Sequence, residues 1–124
     1  MAEFCYSSMF RGCVNLTTPP DLPATILANS CYSSMFSGCT RLAKSPDLHA
    51  HRLIQSCYAQ MFEGCINLNS ITMTATDISA NSCLASWVTN VSPTGTFIKS
   101  STMYSLPKGT SGIPSEWTVK NYSR

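Results

Sequence analysis

The nonapeptide C-Y-S-S-M-F-R-G-C at Cys5–Cys13 returns as C-Y-S-S-M-F-S-G-C at Cys31–Cys39 and as C-Y-A-Q-M-F-E-G-C at Cys57–Cys65. A degenerate fourth copy, C-L-A-S-W-V, begins at Cys83, so the leading cysteines keep a fixed spacing of 26 residues. Self-similarity at such a period means stacked units. One unit cannot bury its own apolar face, and stacking joins the faces into one core.

The first two units run from Cys5 to Ser30 and from Cys31 to Ser56. They share the C-Y-S-S-M-F and G-C blocks, Leu16 with Leu42, and P-D-L at Pro20–Leu22 and Pro46–Leu48. The third, Cys57 to Ser82, keeps Leu68 but has Thr72, Met73 and Thr74 in place of P-D-L. Within a unit the pattern predicts a helix, a short strand and a loop. Leu27, Cys31, Met35, Phe36 and Cys39 follow an i, i+4, i+8 stripe, which predicts a helix over 26–37. Thr25 is its expected N-cap, and Gly38 suits the left-handed position after a helix end. A strand is expected over Thr40–Pro46, closed by the proline, which cannot donate to a ladder.

The expected core ladder is Cys5, Met9, Phe10, Cys13 and Leu16, then Cys31, Met35, Phe36, Cys39 and Leu42, then Cys57, Met61, Phe62, Cys65 and Leu68, ending at Cys83. Strands pack about 4.8 Å apart and helices about 8–10 Å apart. That mismatch predicts a bent stack, with parallel strands on the concave side and helices on the convex side. Strand alternation turns Asn15, Thr17 and Pro19, then Arg41, Ala43 and Ser45, then Asn67, Asn69 and Ile71 outward, as a concave face suited to an extended partner.

After Ser92 the pattern changes. S-P-T-G-T-F-I-K (92–99) reads as a turn and a strand, Pro107–Pro114 as loop, and E-W-T-V-K-N-Y (116–122) as a final strand. Residues 1–92 are thus expected to form the solenoid and 93–124 a small β cap over its C-terminal edge. At the other end Met1 and Ala2 fall where Leu27 and Ala28 fall one period later, so the chain opens inside a unit with no capping sequence. That edge is a candidate for stacking on a second copy.

Composition excludes several classes. Charged residues are 11% of the chain and the formal net charge is +2, with Lys and Arg scattered, so no nucleic-acid footprint is expected. No apolar run reaches the roughly 20 residues of a membrane-spanning helix, and M-A-E-F-C has no signal-peptide pattern. Seven cysteines, an odd number, fit a simple disulfide framework poorly. On helices, Cys5, Cys31, Cys57 and Cys83 would lie too far apart to bridge, since a disulfide needs Cα atoms about 4.4–6.8 Å apart. Cys13, Cys39 and Cys65, between helix and strand, are less firmly excluded. Buried thiols, a disulfide and a zinc site are therefore three readings, the first favoured.

His49-Ala50-His51 places two imidazoles on one side of an extended segment, but no third ligand is evident, and drift in a loop competes with a metal site. Asp21 and Asp47 are repeat-equivalent and are expected to stack; acid–base or calcium chemistry competes there with an ordinary turn role. A hydrolase or metal protein using His49 and Asp47 is thus one reading, although no nucleophile motif and no phosphate loop accompany it.

The unit C-Y-x-x-M-F-x-G-C-x-x-L-x-x-x-P-D-L-x-A resembles the BspA-like class of leucine-rich repeats found in surface proteins of gut Bacteroides-type bacteria. Residues 35–48 and 20–32 carry the match, and the tail segments T-D-I-S-A, G-T-F-I-K and S-G-I-P-S-E-W-T-V are similar to the usual end of these proteins. The resemblance implies an α/β, right-handed leucine-rich-repeat solenoid. It implies an extracellular or cell-surface location and a non-enzymatic role in binding a protein or glycan, without cofactor or metal. The competing expectation is a structural module that self-assembles through its uncapped N-terminal edge, as a dimer or filament. Matches to the N-glycosylation pattern at Asn15, Asn90 and Asn121 read as chance in such a family.

Overall fold

A computed structural model describes residues 6–22, 26–103 and 106–122. Cys5, the expected N-cap Thr25, and Met1 and Ala2 lie outside the described residues. Among the described residues the ordered elements are four short strands: β1 Lys44–Leu48, β2 Ser70–Met73, β3 Thr96–Lys99 and β4 Thr118–Asn121. They form one all-parallel sheet in sequence order. The solenoid expected to carry helices on its convex side has none among the described residues.

In their place stands a ribbon of consecutive turns. Within a rung the N–H groups of Ser33, Met35, Ser37 and Cys39 donate three residues back, to Ser30, Tyr32, Ser34 and Phe36. The N–H groups between them leave the rung: Tyr32, Ser34, Phe36 and Gly38 donate to the carbonyls of Cys57, Ala59, Met61 and Glu63 at 2.8–3.0 Å. The first rung binds the second in the same way through Tyr6, Ser8, Phe10 and Gly12, and the third binds the fourth through Tyr58, Gln60, Phe62 and Gly64. An α-helix would bond every N–H four residues back, with negative φ throughout. Here φ turns positive at every fourth residue: Ser30 (55°), Ser34 (55°) and Gly38 (77°), then Ser56 (53°), Gln60 (56°) and Gly64 (78°).

Magnitudes explain why the ribbon holds. A left-handed non-glycine residue costs about 1–2 kcal/mol, and the second and third rungs each carry two such residues beside a glycine. Against that stand four ladder bonds, each contributing about 0.5–1.5 kcal/mol net, and stacked rings. Tyr6, Tyr32 and Tyr58 form one column, with centroids 5.6 and 6.1 Å apart. Phe10, Phe36 and Phe62 form a second at 5.7 Å, with rings within 6° of parallel. Facing aromatic pairs add about 0.5–1.5 kcal/mol beyond area burial. The spacing also corrects the expected curvature. Turn ribbon and sheet both repeat at hydrogen-bonded distance, so no thicker helical side bends the stack.

The core fills the space between ribbon and sheet. Leu42, Leu68, Ile71 and Phe97 are fully buried, as are Cys57, Met61, Phe62 and Cys65. Met9 is 58% exposed, Cys13 is exposed, and Phe10 and Leu16 are half-buried. The ladder is therefore dry from the second rung on, and its first-rung members form an outer surface.

The strand expected over Thr40–Pro46 lies at Lys44–Leu48 instead, with Pro46 inside it. A register shift between Lys44 and Asp47 accommodates the proline at the sheet edge. Ser45 completes the bulge: its hydroxyl accepts the Thr72 N–H at 3.1 Å and donates to the Pro46 carbonyl at 2.9 Å. β2 and β3 pair at the 26-residue offset, whereas β4 pairs with β3 at 22. The final strand expected over 116–122 is β4, and the strand expected within 92–99 is β3.

Trp87 occupies the place of Met61 one period on and ends both aromatic columns. Its ring stacks on Tyr58 (6.1 Å, 17°), tilts against Phe62 (5.8 Å) and meets Phe97 edge-on (6.0 Å). Residues 110–112 then cover the fourth turn ribbon. The Ser86 N–H donates to Ser111 Oγ at 3.0 Å and the Val88 N–H to the Thr110 carbonyl at 3.2 Å.

Candidate functional site

Two surfaces gather polar side chains. The first is the outward side of the sheet and of the corner leading into it. Lys44, Ser70, Thr96 and Thr118 stand in register across the four strands, and so do Asp47, Thr72, Ile98 and Lys120. The intervening ladder Ile71–Phe97–Val119 points into the core. Before the strands, Arg41 and Ala43 are exposed on one rung and Asn67 and Asn69 on the next. Asn67 Nδ2 donates to the Thr40 carbonyl at 2.7 Å and the Asn69 N–H to the Ala43 carbonyl at 3.0 Å, which fixes one rung against the other. Asn15 and Thr17 are exposed and Pro19 is half-buried on the first rung.

Ser45 and Ile71, expected on this face, are buried instead, at 1% and 0% exposure. The reason is a corner. Leu68 and Ile71 both face inward although three residues apart, because Asn69 and Ser70 both turn out where the ribbon meets the strand. Strict alternation counted from Leu68 therefore reaches the strand in the wrong phase.

The second surface lies where the strands end. His49, Thr74, Ser100 and Tyr122 immediately follow β1, β2, β3 and β4. With His51, Thr76, Ser101 and Thr102 they line an open cleft of about 580 Å³. His49 also lines a separate, smaller hollow of about 220 Å³ with Asp21, Leu22 and Asp47, so the two adjoin at that residue. The expected neighbourhood of Asp21 and Asp47 is thus present, and it includes His49. Backbone bonds hold the row in place: the Thr74 N–H donates to the Leu48 carbonyl at 3.1 Å and the Tyr122 N–H to the Lys99 carbonyl at 2.7 Å. Ser100 Oγ and Thr102 Oγ1 share a hydrogen bond of 3.0 Å. Sequence reading missed this cleft as a whole. His49 and His51 drew notice as a metal pair, but the hydroxyls beside them lie one and two periods further along the chain.

Cys39, Cys57, Cys65 and Cys83 stay protonated at neutral pH. Burial pushes Cys57 and Cys65 up to about 12, and burial also raises Cys39 and Cys83. A nucleophile or zinc ligand needs the thiolate. These thiols instead donate to backbone: Cys39 Sγ to the Phe10 carbonyl at 3.1 Å and Cys65 Sγ to the Phe36 carbonyl at 3.0 Å. The expectation that helix thickness separates the cysteine columns falls with the helices, since the rungs are directly bonded. Cys13, Cys39, Cys57, Cys65 and Cys83 nevertheless stand as thiols. Among the described residues no three His, Cys, Asp or Glu groups converge as a metal site. In the loop beyond β2, Asp77 accepts from Ser79 Oγ at 2.6 Å and from the Ser79 N–H at 3.0 Å, and these bonds lower its carboxyl below the usual range.

No helix among the described residues is long and apolar enough to cross a membrane. Set beside protein-family models, curated proteins and solved structures, the chain matches none of them.

Proposed function

We propose that this chain is a non-enzymatic binding module of an extracellular or cell-surface repeat protein, of the kind its BspA-like repeat resembles, and that it takes a protein or glycan on its outward polar face. The observation that supports the reading is the register of that face. Arg41, Asn67 and Asn69 are exposed on rungs whose backbones are bonded to each other, so their spacing is fixed before any partner arrives. Preorganisation of this kind lowers the entropy lost on binding. The test is a panel of purified extracellular-matrix proteins and arrayed glycans, probed with the native chain and with Arg41→Glu/Asn67→Asp/Asn69→Asp. Binding of at least one probe, weakened about tenfold or more in the variant, is expected. A chain that binds none of them, or a variant that binds as well as the native chain, defeats the reading.

A second reading, assembly through the N-terminal edge, draws on a separate observation. Tyr6 (39%) and Met9 (58%) are exposed, whereas their counterparts Tyr32 and Met35 are buried by the rung stacked on them. Copies meeting through this face would bury the same atoms. Light scattering over a concentration series checks this: rising mass supports assembly, and an unchanging monomer mass removes it.

A further inference from the structure

We propose that the groove along the strand ends binds a neutral, linear oligosaccharide, laid across the rungs from His49 to Tyr122. This concerns a different surface from the outward face, so either proposal can fail alone.

Three features of the groove carry it. Its direction is the first. The residues that follow β1 to β4 come from four successive strands of one parallel sheet, so the groove crosses the strands and repeats one element per rung. A linear polymer with repeating units is the ligand shape that fits such a track. Chemistry is the second. Thr74, Thr76, Ser100, Ser101 and Thr102 present hydroxyls, and His49 and His51 present ring nitrogens. Each hydroxyl can both donate and accept, as each sugar hydroxyl does. Thr74 Oγ1 and Thr76 Oγ1 donate within the rungs, to the Leu48 and His51 carbonyls at 3.4 Å, which leaves their lone pairs to accept from a ligand. In the adjoining hollow the carboxylates of Asp21 and Asp47 are further acceptors for sugar hydroxyls.

The third feature is the platform. Tyr122 is 39% exposed and its backbone is pinned to Lys99, so its ring lines the groove from a fixed base. The C–H face of a pyranose packs on such a ring, while the hydroxyls at its rim reach the polar wall. Neither the groove nor the hollow beside it is lined by Lys or Arg, and two carboxylates stand in that hollow, which disfavours sulfated or uronic-acid chains. The volume of the cleft, about 580 Å³, is in the range of small-molecule sites, and the cleft is open enough for a chain to run on past it.

The experiment is a calorimetric titration of the full chain with hexasaccharides of glucose, galactose and N-acetylglucosamine, each unbranched and uncharged. At least one is expected to bind. Tyr122→Ala should weaken that binding about tenfold, the size of one lost ring contact, while Tyr122→Phe stays within about threefold of native. Thr76→Ala/Thr102→Ala should weaken it as well, and Arg41→Glu/Asn67→Asp/Asn69→Asp should leave it unchanged. The same far-ultraviolet spectrum for every variant separates contact loss from unfolding, and the Phe variant keeps the test valid if Tyr122→Ala unfolds. No heat with any of the three sugars overturns the proposal. So does binding that survives both Tyr122→Ala and Thr76→Ala/Thr102→Ala. A groove that takes tetralysine and none of the sugars is a peptide site and overturns it too.

Discussion

The indole N–H of Trp87 donates to the carbonyl of Gly112 at 2.8 Å, across 25 residues of chain. The contact joins the end of the aromatic columns to the segment that covers the last turn ribbon. Gly112 is also closed to any side chain: an added Cβ would meet the Pro107 carbonyl oxygen. Trp87→Ala should cost about 3–5 kcal/mol, as for other large-to-small changes of buried aromatics. Trp87→Phe keeps a ring against Tyr58 and Phe62 but leaves the Gly112 carbonyl without its donor, for about 1–3 kcal/mol. Urea denaturation of the two variants checks the order; equal losses would show that a ring at this position contributes nothing beyond the hydrogen bond that both variants lack.

Gln60 separates a turn ribbon from a helix by the sign of one substitution. Glycine inside a helix costs about 1 kcal/mol. At φ 56° it instead relieves a left-handed conformation worth about 1–2 kcal/mol, offset by about 0.5–1 kcal/mol of unfolded-chain entropy. Gln60→Gly should therefore leave the urea midpoint unchanged or raise it, whereas Gln60→Val lowers stability by about 1–2 kcal/mol. A clear fall in the midpoint for Gln60→Gly would argue against the positive φ.

Gly95 is closed to any side chain. A Cβ there would collide with the Asn69 carbonyl oxygen and come within 2.8 Å of the Trp117 ring. Trp117 is itself tied down, its Nε1 donating to the Ser92 carbonyl at 2.8 Å. Gly95→Ala should cost about 3 kcal/mol through backbone displacement, measured as a lowered thermal midpoint. Tolerance of alanine at this position would show that β3 can move away from β2.

The buried thiols predict how stability depends on pH. Cys57 and Cys65 are held near 12 in the folded chain, against a reference of 9.0. Below pH 9 both states keep their protons and this stability is fully present. As pH rises from 9 towards 12 the unfolded chain ionises first, and each thiol withdraws about 1.4 kcal/mol of stability per pH unit. Urea midpoints should fall between pH 8 and pH 10.5, and Cys57→Ala should show a shallower fall than the native chain. Equal slopes in the two proteins would mean that Cys57 ionises normally when folded.

Much of the architecture was legible in the repeat. The 26-residue period gave the stacking, the parallel strands and most of the core from Cys31 to Cys83. The helix was misread because a period of four resembles a period of 3.6 over a short window. Leu27, Cys31, Met35 and Cys39 hold the interval at four for twelve residues, over which a helical stripe would drift by about 120°. The serines at 30, 34, 56, 82 and 86 carried the other half of the signal: they sit where φ is positive, a position that sequence marks plainly only when it is glycine. The outward face was half legible. Arg41, Ala43, Asn67 and Asn69 are exposed, but the corner at Asn69–Ser70 reversed the phase for Ser45 and Ile71. The strand-end groove was hidden because its members share no motif and come together only through the sheet.

Equal spacing of ribbon and sheet also governs how such a molecule can lengthen. A stack with one thick side is an arc, and each added unit swings its ends towards new directions. In this stack an added 26-residue unit extends ribbon and sheet together by one hydrogen-bonded rung. Any face that runs the length of the rungs gains one further rung. Reach then scales with copy number while the geometry of each contact stays constant, so gene duplication can tune avidity without redesigning the binding surface.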